Sequence, residues 1–400
     1  MPRPTRLLLA AACLLLAGPA LASADRVRAL GGVPDLVEDD SGVLRWYGAV
    51  VDYPDLGVLH LGDWAHRRNG AARGDLAGRG GGVHVQLDPD GRWGTAALHF
   101  GEDLPAPDPG GWIQAVWGRR FGSLSLALAF RATSWSDASS TPTAALDGGS
   151  RFLHLLGLGA RWDLTDRTYV DLAADAQESE VDFYRRGGSV PLAEEDLGGW
   201  DSFGVRGRVF HELSDNLVWV GRLAWFRDTR PITDPVIDDL VDFDADHFRG
   251  GFACHLLPDP DNLVIISGDY RRLEDTRRAR HPFDAAWERG WRLWWRIDAR
   301  VAVESRVLPW LTLRAAASYR RHVDEQQYKY EWATDYTEIA YRYQVRVDTP
   351  VTVGAGLHLG QFDCDVVVNA TAPFEVGEGT DGFLDGESTN LTGVTLRYAW

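Results

Sequence analysis

Residues Trp291 to Val303, "WRLWWRIDARVAV", alternate between two kinds of side chain for thirteen residues. Trp291, Leu293, Trp295, Ile297, Ala299, Val301 and Val303 fall on one parity, and Arg292, Arg296, Asp298 and Arg300 on the other with Trp294 and Ala302. Wound as a helix at about 100° per residue, the rings and guanidiniums would smear around the whole circumference. Extended, the stretch has one apolar and one charged face. A strand of a soluble sandwich averages about five or six residues, whereas a tilted strand crossing a bilayer needs roughly 9 to 11. The length of the alternation therefore predicts an all-β, membrane-spanning antiparallel barrel.

The start of the chain agrees with export. Arg3 and Arg6, an apolar core from Leu7 to Leu16 and Ala22-Ser23-Ala24 before Asp25 make residues 1–24 a cleaved signal peptide. Its removal, with two arginines, takes the formal net charge from -17 to -19. A surface that acidic excludes a general nucleic-acid binder. No later run of 18 apolar residues offers a transmembrane helix, and an exported chain without one can still span a membrane as a closed barrel. Cys254 and Cys364 are expected on distant strands as free, lipid-facing thiols, too few for a disulfide framework.

The alternation recurs in "YTEIAYRYQVRVD" and "FGVRGRVF". Tight polar turns fall at 88–92, 118–122, 164–168, 213–216, 257–262, 307–311 and 348–352, and longer loops near 65–79, 101–110, 134–150, 178–199, 228–245, 274–288, 321–334 and 371–389. Short connections on one side and long ones on the other is the plan of outer-membrane barrels. Seven turns and eight loops join sixteen strands over residues 56–400, with fourteen as the alternative. The stretch 352–370 changes apolar parity part-way and is expected to be one strand with a bulge near Gly360 and Gln361. The last strand puts Val394, Leu396, Tyr398 and Trp400 on one face and ends on an aromatic ring. This resembles the C-terminal signature of Gram-negative outer-membrane barrels, which implies recognition by the barrel assembly machinery and a setting of outer-membrane lipid and lipopolysaccharide.

Residues 25–55 precede the first strand. "DRVRALGGVPDLVEDDSG" has an Arg-Ala-Leu-Gly-Gly stretch at Arg28 to Gly32 and an acidic patch at Glu38 to Ser41. It is similar to the opening of PorV-like and FadL-like (long-chain fatty-acid transporter) barrels, although "RWYGAV" stands where they carry an Asn-Pro-Ala-like step. The resemblance implies an N-terminal segment within or beneath the lumen, and transport of hydrophobic substrates.

No Gly-x-Ser-x-Gly or His-Glu-x-x-His motif suggests an enzyme. His154, His211 and His358 are scattered along strands, and the aspartates of 234–246 lack the spacing of a calcium loop. No cofactor or metal is expected. The sharpest signal is basic: Arg292, Arg296 and Arg300, then Arg314 and Arg320, then Arg342 and Arg346 on three successive strands, sharing their faces with Asp298, Glu304, Glu338 and Asp348. Strands about 4.8 Å apart would gather these into one lumen wall, either lining an anion-attracting path or bracing a filled interior. The expected function is a pore or transport path for small solutes. The alternatives are a FadL-like route for hydrophobic substrates and a closed scaffold barrel.

Overall fold

The computed structural model describes residues 24–32, 34–61, 79–103, 110–137, 146–187, 190–229, 231–234, 239–279, 285–332, 336–369 and 390–400, with backbone alone at several strand ends. All but the last residue of the leader, and Cys13 with it, lie outside them. Eighteen strand segments follow a short N-terminal region: β1 (Leu56–Leu61), β2 (Arg79–Gln86), β3 (Thr95–Asp103), β4 (Gly110–Phe121), β5 (Leu124–Asp137), β6 (Leu146–Thr165), β7 (Thr168–Gly187), β8 (Val190–Ser214), β9 (Leu217–Asp228), β10 (Pro231–Asp234), β11 (Asp239–Asp259), β12 (Asn262–Ala279), β13 (Ala285–Leu308), β14 (Leu311–Trp332), β15 (Tyr336–Asp348), β16 (Val351–Leu359), β17 (Phe362–Asn369) and β18 (Asn390–Ala399). They form one antiparallel sheet that closes where β18 pairs with β1, Leu56 opposite Ala399.

Two pairs of segments are single passes. β9 and β10 both lie along β11, and β15 and β16 both lie along β14. Sixteen passes remain, as the alternation predicts.

The expected positions of one turn and one bulge are corrected. The chain does not reverse at 348–352: it continues along β14, with Arg320 opposite Asp348 and Ala317 opposite Val351. Pro350 has no N–H to give the ladder, so the strand is interrupted there, yet its carbonyl still accepts from Ser318 N at 2.9 Å. The reversal is instead at Gly360 and Gln361, with Leu359 opposite Phe362 and Gly360 at φ 71°, a left-handed conformation that glycine adopts without strain. The parity change there marks a turn, not a bulge.

Several stretches expected as loops are also ladder. β7 and β8 remain paired from Thr168–His211 out to Gly187–Val190, and β13 with β14 out to Ala285–Trp332. Beyond the bilayer neither face need be apolar, so alternation fades while backbone pairing persists. The wall is consequently tall at β7, β8, β13 and β14, with 20 to 25 residues each.

The exterior is apolar. On β13, Ile297, Val301, Val303 and Val307 all point outward and are exposed. Ten residues at about 3.3 Å each, tilted by about 40°, cover roughly the 25 Å of an outer-membrane apolar band. Exposed rings flank it: Trp93, Phe121, Trp162, Trp310 and Trp400 near the turns, and Phe130, Phe203, Phe248, Tyr270 and Tyr319 further along the strands. Cys254 and Cys364 are free thiols on the outward parity of β11 and β17.

Candidate functional site

A barrel of sixteen strands is wide enough to leave an aqueous channel unless something occupies it. Here the chain before β1 occupies the turn-end half. It comprises α1 (Ala24–Ala29) and three 3-10 turns at Pro34–Leu36, Asp40–Leu44 and Tyr47–Asp52. The inner wall makes room with small side chains. Val27, Leu30, Leu36 and Val37 pack against Phe210, Val220, Ala253, Ile265, Ala302 and Ala316. Val43, Trp46, Tyr47, Val50 and Tyr53 pack across the lumen against Ala97, Val116, Ala127, Ala129 and Ala173. Each large side chain so buried contributes roughly 1.5–3 kcal/mol.

Polar contacts hold the same segment to the wall. Arg26 bonds Glu304 at 2.7 and 2.8 Å, and Arg314 joins the same Glu304 (2.6 Å) to Asp365 (2.5 Å). Asp35 meets Arg222, which also holds Asp269 at 2.6 Å. Arg161 gathers Glu38 (2.8 Å), Asp52 (2.6 Å) and Asp171 (2.7 Å), and Arg208 reaches the same Asp171 at 2.8 Å. Tyr47 donates to Asp175 at 2.6 Å. Backbone carbonyls of the segment are taken too: Leu36 by His255 (2.8 Å), Leu44 by Gln114 (3.2 Å), Ala29 by Thr352 (3.0 Å) and Tyr53 by His84 Nδ1 (2.7 Å). That last bond leaves His84 Nε2 to accept from His99 Nε2 at 2.9 Å. Buried ion pairs of this kind add little net stability, but losing one partner is expensive because the other charge stays buried. They specify where the plug sits.

The basic wall divides by height. Arg300 and Arg314 are buried at plug level, Arg300 on Ser318 at 3.1 Å and 3.9 Å from Asp298. Higher up, Arg292 pairs with Asp324 (2.8 Å), Arg296 with Asp298 (2.6 Å), and Arg320 lies 3.7 Å from Asp298. These five share the inner face of β13 and β14 with Asp298 and Glu304. Arg342 and Arg346 stand apart on β15, exposed, with Arg346 on Asp348 at 2.7 Å. The Glu338 side chain lies outside the described residues. Val394 and Leu396 face outward, and Tyr398 and Trp400 stack at 6.3 Å beside the closing seam, where Trp400 N donates to Asp55 O at 3.2 Å.

No family model and no curated protein matches this sequence. Solved structures share the barrel plan at low similarity. CdiB from Escherichia coli is 11% identical over 87% of this chain and 63% of its own, with a TM-score of 0.49. The Ralstonia pickettii toluene transporter TbuX is 10% identical over 95% and 98%, at 0.42. A Pseudomonas aeruginosa FadL homologue is 11% identical over 96% and 99%, at 0.38. The chain thus resembles FadL-like barrels distantly, and it spans 63% of the length of CdiB. Identities of 10–11% carry no solute from those proteins to this one.

The sequence reading missed Arg161, Arg222, Arg249, Asp35, Asp171 and Asp269. Arg206 and Arg208 had the right alternation, but nothing in a single strand says which segment they face.

Proposed function

We propose that this barrel is an outer-membrane transporter for small solutes whose lumen is closed at rest by residues 25–55, with the tight turns on the periplasmic side. One observation carries the reading: the clamps on this segment come from strands between β2 and β18, around nearly the whole circumference, while the inner wall above it remains charged and partly exposed. A scaffold would have no use for a polar upper lumen. A route for greasy solutes would want apolar inward residues where Arg292, Arg296 and Arg320 stand.

Planar-bilayer recording tests it. Wild-type protein should be nearly silent, and the double substitution Arg26→Ala, Asp35→Ala, which removes one clamp to β13 and one to β9, should give discrete conducting steps. Large steady conductance from wild type would contradict a resting plug. A variant whose N-terminal segment becomes protease-sensitive while the barrel stays silent would contradict transport.

A further inference from the structure

The register places like charges side by side above the plug. Arg249 on β11 lies opposite Arg271 on β12, and Arg271 opposite Arg296 on β13, all on the inward face; on β14 the row continues with the imidazole of His322. Neighbouring strands are about 4.8 Å apart, and like charges directly opposed destabilise a ladder. The next row down runs Gly251, Asp269, Asp298 and Arg320, and supplies two acids.

Among the described residues, each of two carboxylates is shared by three arginines. Asp269 is shared by Arg222 (2.6 Å), Arg249 (3.6 Å) and Arg271 (3.1 Å), and Asp298 by Arg296 (2.6 Å), Arg300 (3.9 Å) and Arg320 (3.7 Å). Six guanidiniums thus surround two carboxylates, with Asp35 of the plug 3.6 Å from Arg249 as the third acid. Donors are left over: Arg249 Nε and Nη2, Arg296 Nε and Arg320 Nε are buried with no acceptor among the described residues. Height separates the roles. Side chains of Asp269, Asp298 and Arg222 are 1–2% exposed, whereas those of Arg249, Arg271, Arg296 and Arg320 are 16–29% exposed, and their exposed side is the lumen. They line the inner wall above the plug.

We propose that Arg249, Arg271 and Arg296, with Arg320 beside them, form an oxyanion-binding subsite that takes the carboxylate or phosphate group of a small solute. The proposal rests on the transporter reading for its purpose and names the chemistry of the solute. Guanidinium forks match planar and tetrahedral oxyanions and remain charged at any physiological pH. An anion seated there would accept from the partly exposed guanidinium N–H groups of these side chains and offset the surplus charge. Arg249 faces both the incoming solute and Asp35, so the subsite and the plug meet on one side chain.

Calorimetric titration of the refolded full barrel in detergent, with inorganic phosphate in one arm and acetate in the other at fixed ionic strength, tests it. At least one anion should bind saturably, and which one distinguishes the two sources of the oxyanion. Arg249→Gln with Arg296→Gln should weaken that binding at least tenfold, while Arg167→Gln, in a turn where Arg167 pairs with exposed Asp215, should leave it unchanged. Thermal unfolding guards against a misfolded variant: the bound anion should raise the wild-type midpoint and leave that of Arg249→Gln where it was. Absence of saturable binding by either anion, or a double variant that binds as wild type does, would overturn the subsite. Binding is read with the plug seated, so an Arg26→Ala, Asp35→Ala barrel that stays silent in the bilayer refutes transport and leaves the subsite standing. A conducting barrel that binds neither anion does the reverse.

Discussion

Two buried carboxyls of the plug respond to burial in opposite ways. At Asp35 burial alone would favour the neutral acid, but the guanidiniums of Arg222, Arg45, Arg249 and Arg208 outweigh it and hold the group well below its ordinary 3.8. A depressed value means that Asp35 contributes stability above about pH 4 and loses it as the pH falls further. Asp35→Asn should destabilise the barrel by about 3 kcal/mol at neutral pH, the low end for breaking a buried pair because Asp269 still holds Arg222, and denaturant midpoints would measure it. At Asp40, burial dominates, Asp39 adds to it, and Arg397 at 3.5 Å only partly opposes them, so the group is raised well above 3.8. Its contribution is therefore present below about pH 4 and lost as the pH rises through the shifted value. Asp40→Asn should raise the melting temperature at pH 8 and change it little at pH 4. Equal shifts at both pH values would contradict a raised Asp40.

At the scale of elements, parity and position are legible in a sequence and pairing is not. The inward set on β13 and β14 follows from alternation alone, because one face must meet lipid. The turn was harder: Thr349-Pro350 and Gly360-Gln361 both look like turn chemistry, and either placement gives sixteen passes. What decides is a partner strand, β14, that no local pattern contains. Gly360→Val should therefore destabilise by about 1–2 kcal/mol, the penalty of a left-handed non-glycine residue, while Pro350→Ala should stay within about 0.5 kcal/mol; comparable effects at both sites would put the reversal in doubt. The plug has its own close approach. A Cβ on Gly48 would come within 2.6 Å of the backbone of Ala160 and Arg161 on β6. Gly48→Ala should unseat Tyr47–Asp52 without touching a charge. Faster proteolysis within residues 25–55, in a barrel still heat-modifiable, is the expected reading.

For the whole molecule, closure and the apolar band were written into alternation and connection lengths. The filling of the lumen was not, since the plug is built from short 3-10 turns that carry no period. The arginine row is likewise a property of four strands in register. One feature of the assembly governs how an open state would behave: Tyr53 of the plug lies three residues before Leu56, where the barrel wall begins. There is no slack between stopper and vessel. An unseated plug would stay within a few ångströms of its socket, at an effective concentration on the order of millimolar or more, and its recapture would be unimolecular. Open intervals should accordingly be brief and independent of protein concentration, and inserting a flexible glycine-serine spacer between Tyr53 and Leu56 should lengthen them without changing the current that each one passes.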